Sequence, residues 1–456
     1  MGAKSSCCTG QGVDKQFEFN SLFRSRKKLT KQEMAIIRIQ AVGRGHLVRK
    51  QIKVMMNAKN EPPKKEAKRL ETLPDEYLSP NVQNILAKLE PFVHTPDTAL
   101  SEDIEYITYF YQLKKDNSVY QGGWCKGKRE GKGKVYYADG SYYEGNWKND
   151  KICGFGRFIT VTGNCFEGEF AEGKKSGKGK IFFFNHEVYD GDWVEEKRHG
   201  RGKLDYPDGS HYTGLWENDM RHGPGVYKSA KGDTYEGNWV ADVRSGQGKV
   251  TTSEFEIYEG EWQNNKRNGQ GTCTYPTEDV YVGTWKDDLK HGKGTFRYKN
   301  GPVYQGEYKD DKQEGKGVET WEDGSRFEGD YKNGMRKGKG SFFWKDGASY
   351  EGEFDNNEIH GYGVHKWPSG KSYVGNWKNN MMCGTGRLEY GDGRIYDGNF
   401  VDDKKHGYGE FLSADGKKYK GQWEKGKRHG IGVYVSEDEK ERKGQWRQGK
   451  LLRWLE

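Results

Sequence analysis

The sequence lacks long hydrophobic runs and is poor in apolar residues. Only 32% of its 456 residues are hydrophobic, and no stretch approaches the roughly 18–20 apolar residues that a membrane-spanning helix needs. Of the seven cysteines, Cys7 and Cys8 are adjacent and five are scattered, and none has the spacing of a metal site. This usage is typical of a protein from a reducing, intracellular compartment. These shortages exclude a transmembrane protein and argue against a thick aliphatic core.

Glycine and aromatic residues are abundant instead. The chain contains 65 glycines, and 14% of its residues are aromatic. A chain this polar would ordinarily be classed as disordered, but disordered chains are poor in aromatic rings. We therefore expect an ordered arrangement that packs these rings.

The positive charge is concentrated near the N-terminus. Residues 1–69 hold 17 Lys and Arg against 5 Asp and Glu, whereas residues 70–119 hold 3 against 9. A basic segment of this kind favours an acidic surface or an acidic partner.

A 23-residue repeat dominates the chain. The pattern aromatic-x-Gly-x-aromatic begins at Tyr120 and recurs every 23 residues without an insertion, giving fourteen full repeats and a partial fifteenth that ends near residue 447. A Gly-x-Gly pair follows in each full repeat, first at Gly131 and Gly133. An Asp-Gly turn closes many units, as at Asp139-Gly140.

The repeat predicts a β-hairpin. Two aromatic residues four positions apart face one side of a strand, the polar stretch after them is a turn, and Gly-x-Gly opens a second strand. Glycine there either permits a positive φ or lets a ring pack onto bare backbone. Consecutive hairpins predict a mainly β fold, an elongated antiparallel β-sheet solenoid in which each repeat buries its aromatics against its neighbours. Acidic residues such as Glu144 and Glu169 are expected on the solvated face.

The repeat resembles the MORN repeat (membrane occupation and recognition nexus), for example in Tyr-Glu-Gly-Asn-Trp-Lys-Asn-Asp-Lys from Tyr143. The residues that carry the resemblance in this repeat are structural ones: Tyr143, Gly145, Trp147, Gly154 and Gly156. As a family, MORN proteins are scaffolds. Some associate with membranes or acidic phospholipids, while others bind partner proteins or build ciliary and cytoskeletal structures.

The N-terminus predicts lipidation. It reads Met-Gly-Ala-Lys-Ser-Ser-Cys-Cys, which fits the N-myristoylation pattern with Gly2 as acceptor, and Cys7 and Cys8 lie where palmitate is commonly added. One myristoyl chain binds membranes only marginally, so a second signal is needed. The cysteine pair offers one, and a basic cluster offers another through attraction to anionic lipids. That cluster comprises Arg24, Arg26, Lys27, Lys28 and Lys31.

A helix is predicted over residues 30–57, and it contains a sequence that resembles the IQ motif. Ile39-Gln40 is followed by Arg44-Gly45 and Arg49, as the motif Ile-Gln-x-x-x-Arg-Gly-x-x-x-Arg requires. The resemblance implies a calmodulin, centrin or related EF-hand light chain as partner. The alternative is a basic amphipathic helix that lies on a membrane surface, and the two states can alternate because capture by calmodulin lifts a basic helix off the membrane.

The remaining segments complete the expected organisation. Residues 1–29 are interpreted as a basic, disordered tail and 58–78 as a linker. Residues 79–119 are expected to supply a short helix, with Ser79 as N-cap and Pro80 in its first turn, and a strand that together cap the solenoid. The repeat array spans 120–447, and 448–456 form a tail.

The sequence shows no catalytic or metal constellation outside the repeat. Six of eleven histidines share one repeat position, just before Gly-x-Gly, which is typical of a structural role. We expect no enzyme activity, no bound cofactor beyond covalent myristate and palmitate, and no nucleic-acid partner. Two hypotheses for function remain open. The first is a lipid-anchored scaffold on the cytoplasmic face of a plasma or ciliary membrane, whose repeats bind proteins or anionic phospholipids. The second is a structural component of a cilium or axoneme, basal body or cortical cytoskeleton.

Overall fold

The computed structural model describes residues 67–93 and 104–455. The part of the chain before residue 67, which contains the predicted tail and helix, lies outside the described residues. The chain divides into two compact units. The first comprises the described residues up to 253 together with 263–265, and the second comprises residues 254–262 and those from 266 onward.

Strands β1 to β14 precede residue 254. They are β1 (Ala67–Leu70), β2 (Glu105–Leu113), β3 (Val119–Cys125), β4 (Lys128–Tyr136), β5 (Tyr142–Lys148), β6 (Lys151–Ile159), β7 (Cys165–Ala171), β8 (Lys174–Phe182), β9 (Val188–Val194), β10 (Lys197–Asp205), β11 (His211–Glu217), β12 (Met220–Lys228), β13 (Thr234–Val240) and β14 (Val243–Thr251). A 3-10 turn (Asp75–Tyr77) and helix α1 (Pro80–Leu86) lie between β1 and β2.

Strands β15 to β32 follow. They are β15 (Ile257–Gln263), β16 (Lys266–Thr274), β17 (Val280–Lys286), β18 (Leu289–Arg297), β19 (Val303–Lys309), β20 (Lys312–Thr320), β21 (Arg326–Lys332), β22 (Met335–Phe343), β23 (Ser349–Asp355), β24 (Glu358–Lys366), β25 (Ser372–Lys378), β26 (Met381–Glu389), β27 (Ile395–Val401), β28 (Lys404–Leu412), β29 (Lys418–Glu424), β30 (Lys427–Val435), β31 (Glu441–Arg447) and β32 (Lys450–Trp454).

Consecutive strands pair in antiparallel fashion within each unit. The pairing runs from β1–β2 to β13–β14 in the first unit. It runs from β16–β17 to β31–β32 in the second. Each repeat supplies one seven-residue and one nine-residue strand, as in β5 and β6. The predicted mainly β, antiparallel sheet of hairpin repeats is therefore confirmed.

The two glycines of Gly-x-Gly have different structural roles. The first adopts a left-handed conformation, with φ of 58° at Gly154, at a bulge where the register of β5 against β6 shifts. The second lies under a tyrosine ring, because a Cβ placed on Gly156 would come within 2.5 Å of the Tyr143 hydroxyl. Both physical reasons considered from the sequence thus apply, one to each glycine.

The aromatic rings form a continuous ladder on one face of each unit, which we call the tyrosine face. Tyr143 meets Trp147 of its own repeat and Phe170 of the next, both edge to face, with centroids 5.5 Å apart in each case. Tyr143 donates a hydrogen bond to the Asn146 carbonyl at 3.1 Å, and the Trp147 indole donates one to the Gly133 carbonyl at 3.3 Å. Burying a ring of this size contributes roughly 1.5–3 kcal/mol, so the ladder outweighs exposed ion pairs worth about 0–1 kcal/mol each.

A second contact joins many repeats to the next along the short turns. Asp219 stands at the second turn position with φ of 73°. It accepts a hydrogen bond from the backbone N–H of Arg198, 21 residues earlier, at 3.0 Å. The Arg198 guanidinium donates to the Asp219 carbonyl at 2.7 Å and lies 4.2 Å from the Trp216 ring. The same pairing recurs at Arg129–Asp150, Arg221–Asp242 and Arg267–Asp288.

The segment before the repeats forms a helix and a strand, as the sequence indicated, and adds a strand that it did not. Ser79 caps α1 by accepting a hydrogen bond from the Val82 N–H, and β2 pairs with β3 at the first edge of the repeats. Strand β1 lies inside the stretch interpreted as a linker and pairs with β2. At the other end, β32 lies in the stretch assigned to the tail and pairs with β31, so the partial fifteenth repeat is also a hairpin.

We predict that Gly156→Ala destabilises the first unit by about 2–3 kcal/mol, because the added methyl overpacks against the Tyr143 ring. Gly209→Ala is the matched control. Its Cβ would meet nothing within 4 Å, and only backbone strain at φ of 88° opposes it, at about 1 kcal/mol. Urea unfolding followed by circular dichroism measures both. A smaller loss for Gly156→Ala than for Gly209→Ala would contradict the ring–glycine contact.

We also predict that Asp219→Ala and Asp219→Asn behave differently. The equivalent residue, Asn357, adopts a φ of 70°, and its side chain accepts a hydrogen bond from the Arg336 N–H at 2.8 Å. Asp219→Asn should therefore change the free energy of unfolding by less than about 0.5 kcal/mol, whereas Asp219→Ala should lose about 1–2 kcal/mol through backbone strain and a lost acceptor. Hydrogen exchange of the Arg198 amide should accelerate only in the alanine variant, and equal exchange in both variants would argue against the pairing.

Candidate functional site: the face opposite the tyrosines

The predicted functional residues fall into two groups. Those of the lipidation pattern, the basic cluster and the IQ-like motif lie outside the described residues. Tyr143, Gly145, Trp147 and Gly156 lie together on the tyrosine face, where Tyr143 and Trp147 are 0% and 3% exposed, and Gly154 forms the adjacent bulge. Their contacts are used in packing, so the opposite face is the surface that remains for binding.

The opposite face carries paired charges in the first repeats. It is formed by the two residues that flank the glycine of aromatic-x-Gly-x-aromatic, the residue between the two glycines of Gly-x-Gly, and the residue that follows the second glycine. Cross-strand ion pairs join Lys134 to Glu144 at 3.2 Å and Arg157 to Glu167 at 2.6 Å. Glu144 and Glu167 each have a basic partner in the neighbouring strand.

A strap, residues 78–92, covers this face over the first repeats. Val82 is fully buried against Tyr142, Ile159 and Cys165, and further apolar side chains of the strap pack around it, namely Leu78, Ile85, Leu86 and Leu89. Apolar burial thus holds the helical half of the strap on the sheet.

The end of the strap is held by an aromatic stack and a guanidinium. The Phe92 ring stacks on Phe155 with centroids 5.6 Å apart and an interplanar angle of 8°. Arg157 donates to the Glu90 carbonyl at 3.1 Å, and its guanidinium lies 5.4 Å from the Phe92 ring. The face therefore binds an apolar, aromatic segment of the chain itself.

The strap changes the environment of the residues beneath it. Glu144 was expected to be solvated, but it is only 7% exposed and accepts a hydrogen bond from the Tyr142 hydroxyl at 2.7 Å. Glu169, in the next repeat, is exposed as expected. Burial raises the pKa of the Cys165 thiol to about 12, which keeps this thiol protonated and unreactive.

The second unit leaves the equivalent face uncovered and forms a trough there. The trough has a volume of about 760 Å³. Its floor includes the residues that follow the second glycine in three successive repeats, Val318, Ser341 and Val364. Its walls include Glu328, Glu351 and Tyr362, and the Tyr362 side chain is 56% exposed. No strap lies over this part of the described structure.

Residues 67–93 and 104–455 form neither a metal-binding cluster nor a membrane-spanning helix. No group of three or more His, Cys, Asp or Glu residues is arranged there to hold a metal ion. Among the same residues, no helix has the length and apolar character needed to span a membrane. Five cysteines of this part are free thiols.

Two protein-family models match the chain. The MORN repeat model matches fourteen stretches between residues 120 and 439, and the IQ calmodulin-binding motif model matches residues 33–53. Neither model describes a catalytic domain. No curated protein matches the chain.

Solved structures give only weak likenesses. The TCP10 domain of Danio rerio CPAP, in complex with a peptide of Danio rerio STIL, is 14% identical, covers 58% of this chain and 92% of its own, and has a TM-score of 0.20. The TCP10c domain of Drosophila melanogaster Sas-4 is 11% identical, covers 44% of this chain and 99% of its own, and has a TM-score of 0.19. A streptogramin B lyase is 10% identical, covers 62% of this chain and 88% of its own, and has a TM-score of 0.12. These TM-scores are too low to identify a shared fold.

The family models agree with the geometry. The fourteen matched stretches coincide with the hairpins whose tyrosine, tryptophan and glycine residues form the ladder. The chain belongs to the MORN repeat family and carries an IQ calmodulin-binding motif ahead of its repeats.

Proposed function

We propose that this protein is a non-enzymatic scaffold, held by lipid at the cytoplasmic face of a plasma or ciliary membrane, that recruits an EF-hand protein and docks partners on its repeats. The scaffold assignment rests on the different roles of the two faces. The tyrosine face is occupied by packing, while the residues of the opposite face vary from repeat to repeat and line a trough in the second unit.

The EF-hand partner is supported by the matched IQ motif. Ile39 would fill the apolar groove of one lobe, Gln40 would hydrogen-bond to the partner backbone, and Arg44 and Arg49 would face its acidic residues. Gly45 would permit close approach of the partner. Calmodulin, centrin or a related light chain would satisfy this chemistry.

Membrane anchoring is supported by three signals in the first 31 residues. Gly2 fits the myristoylation pattern, the adjacent Cys7 and Cys8 supply palmitoylation sites, and the basic cluster attracts anionic lipids at about 1 kcal/mol per residue. Two or more such signals are what stable anchoring requires. A structural role in a cilium, basal body or cortical cytoskeleton rests on the family alone, and the extraction experiment below distinguishes it.

We predict that Ile39→Glu weakens binding of calmodulin to the full-length protein at least tenfold, because it places a carboxylate in an apolar groove facing an acidic partner. Ile36→Glu, in the same segment but outside the defined motif positions, is the control and should cost less. Isothermal titration calorimetry, with calcium and with a chelator, measures both. Unchanged affinity in Ile39→Glu under both conditions would rule out the IQ assignment.

We predict that Gly2→Ala releases the protein from membranes, because the variant cannot accept myristate. Gly10→Ala, a glycine of the same tail outside the pattern, should fractionate as wild type. Membrane fractionation of cells, followed by extraction with a non-ionic detergent, is the measurement. If wild type and Gly2→Ala both remain in the detergent-resistant pellet, the protein is a cytoskeletal or axonemal component instead.

A further inference from the structure

Three tryptophans of the second unit lie outside the aromatic ladder. Within the repeats, tryptophan otherwise occupies only the second aromatic position, as at Trp285. Trp321, Trp344 and Trp367 instead come directly after β20, β22 and β24 end, in three successive repeats. The backbone N–H of each closes the long turn of its repeat by donating to a carbonyl four residues later. We call these three residues the tryptophan row.

The three indoles and the two rings between them form one continuous stack along the turn edge. The Phe342 ring centroid lies 5.3 Å from Trp321 and 4.5 Å from Trp344. The His365 ring centroid lies 5.0 Å from Trp344 and 4.1 Å from Trp367. Burial lowers the pKa of the His365 imidazole, so at neutral pH it packs between the indoles as an uncharged ring. The stack holds the three tryptophans in a regular order.

The hairpins do not require an aromatic ring at this turn position. Serine or threonine occupies it in other repeats, and the same backbone hydrogen bond closes the turn there. Those residues are Thr160, Ser229, Ser413 and Ser436. Tryptophan in three successive repeats is therefore more than the fold needs.

The indole N–H groups of the row are available to a partner. In the ladder, the Trp285 indole donates to the Gly271 carbonyl at 3.3 Å, which satisfies the polar atom of that ring. No hydrogen bond joins an indole nitrogen of the row to another described residue. The three side chains are only partly buried, and none of their indole nitrogens is a buried unpaired atom. The row thus offers three accessible donors beside apolar ring edges.

The spacing of these donors matches a polyproline II helix. The turn position recurs every second strand, which is about 9.6 Å because neighbouring strands lie about 4.8 Å apart. A polyproline II helix advances about 9.3 Å per turn of three residues, and its carbonyls make no internal hydrogen bonds. A segment lying along the row would present the same face to each indole, with an apolar ring for the ring edge and a carbonyl for the N–H.

One end of the row carries a cation without an acidic partner. The Lys371 Nζ lies 4.3 Å from the Trp367 ring centroid, and no ion pair joins it to another described residue. In the next repeat, Arg394 occupies the same position and is paired with Asp392 at 2.8 Å. The residue equivalent to that aspartate is Ser369. Lys371 is therefore free to pair with an acidic residue of a ligand that extends past Trp367.

We propose that the tryptophan row binds a proline-rich segment of a partner protein, held as a polyproline II helix with prolines three residues apart and an acidic residue beyond Trp367. Recognition of this kind joins aromatic contacts to a preformed helix, which loses little entropy on binding. The proposal goes beyond the scaffold function, because the row lies at the turn edge and the contact needs neither lipid nor an EF-hand protein.

The experiment measures binding of two fluorescent peptides to the full chain by anisotropy. The proline probe repeats Pro-Leu-Pro three times between pairs of aspartates, and the alanine probe replaces every proline with alanine. The proline probe should bind at least tenfold more tightly. Trp344→Phe should weaken its binding about fivefold, because the variant keeps a ring in the stack but removes one N–H donor. Lys371→Gln should weaken it about threefold through the lost ion pair.

Two matched substitutions serve as controls. Trp454→Phe changes a tryptophan that is 37% exposed and lies outside the row, and Lys309→Gln removes an exposed lysine of the same unit. Neither should change the affinity for the proline probe by more than about twofold. Circular dichroism melts verify that each variant is folded in the assay, and Trp321→Phe and Trp367→Phe test the row even if Trp344→Phe does not fold.

Three outcomes would overturn the proposal. One is equal affinity for the proline and alanine probes, and another is wild-type affinity for the proline probe in all three tryptophan variants. The third is binding of phosphatidylserine vesicles that depends on Trp344 while the proline probe does not bind, which would make the row a membrane contact. None of these results changes the outcome of the Gly2 and Ile39 experiments, so the proposed function is tested separately.

Discussion

The contact between a tyrosine ring and a pair of bare glycine backbones is the constraint on which each unit depends. Tyr143 lies over Gly145 and Gly156, and either glycine would bring a Cβ into the ring if it were replaced. The same ring packs edge to face with Trp147 and with the aromatic ring of the next repeat. One short-range contact thus sets the position of the ladder, and a polar chain stays folded without a thick aliphatic core.

The same constraint explains why the strands offer binding chemistry on one face only. Every full repeat must keep its first aromatic residue, the glycines that this ring covers and its second aromatic residue on the tyrosine face, so that face varies little. The opposite face is free of this demand and varies with position. It is ion-paired beneath the strap in the first repeats, whereas in the second unit Glu351 lies opposite the uncharged Ser341 and Val364. A scaffold that offers different partners different sites requires variation of this kind.

Much of the fold could be predicted from the sequence because the repeat is local and exact in length. The hairpins, the shared side of Tyr143 and Trp147, the turn at Asp139-Gly140 and the Ser79 cap all depend on residues a few positions apart. The strap could not be placed, because its contacts join residues such as Phe92 and Phe155 that no periodicity relates. For the same reason Glu144 was expected to be solvated. The pairing of Arg198 with Asp219 spans 21 residues, and the signal that could have found it is the recurrence of an acidic or amide residue at the second turn position.

The most direct test of this account is a complete substitution scan of one repeat, residues 350–372, in the full chain, with protease resistance as the measure of folding. The account predicts that polar substitutions at Tyr350, Gly352, Phe354 and Gly363 lose resistance, while those at Glu351, Glu353, Tyr362 and Val364 retain it. If substitutions on the opposite face unfolded the repeat as often as those on the tyrosine face, the division between a packing face and a binding face would be wrong.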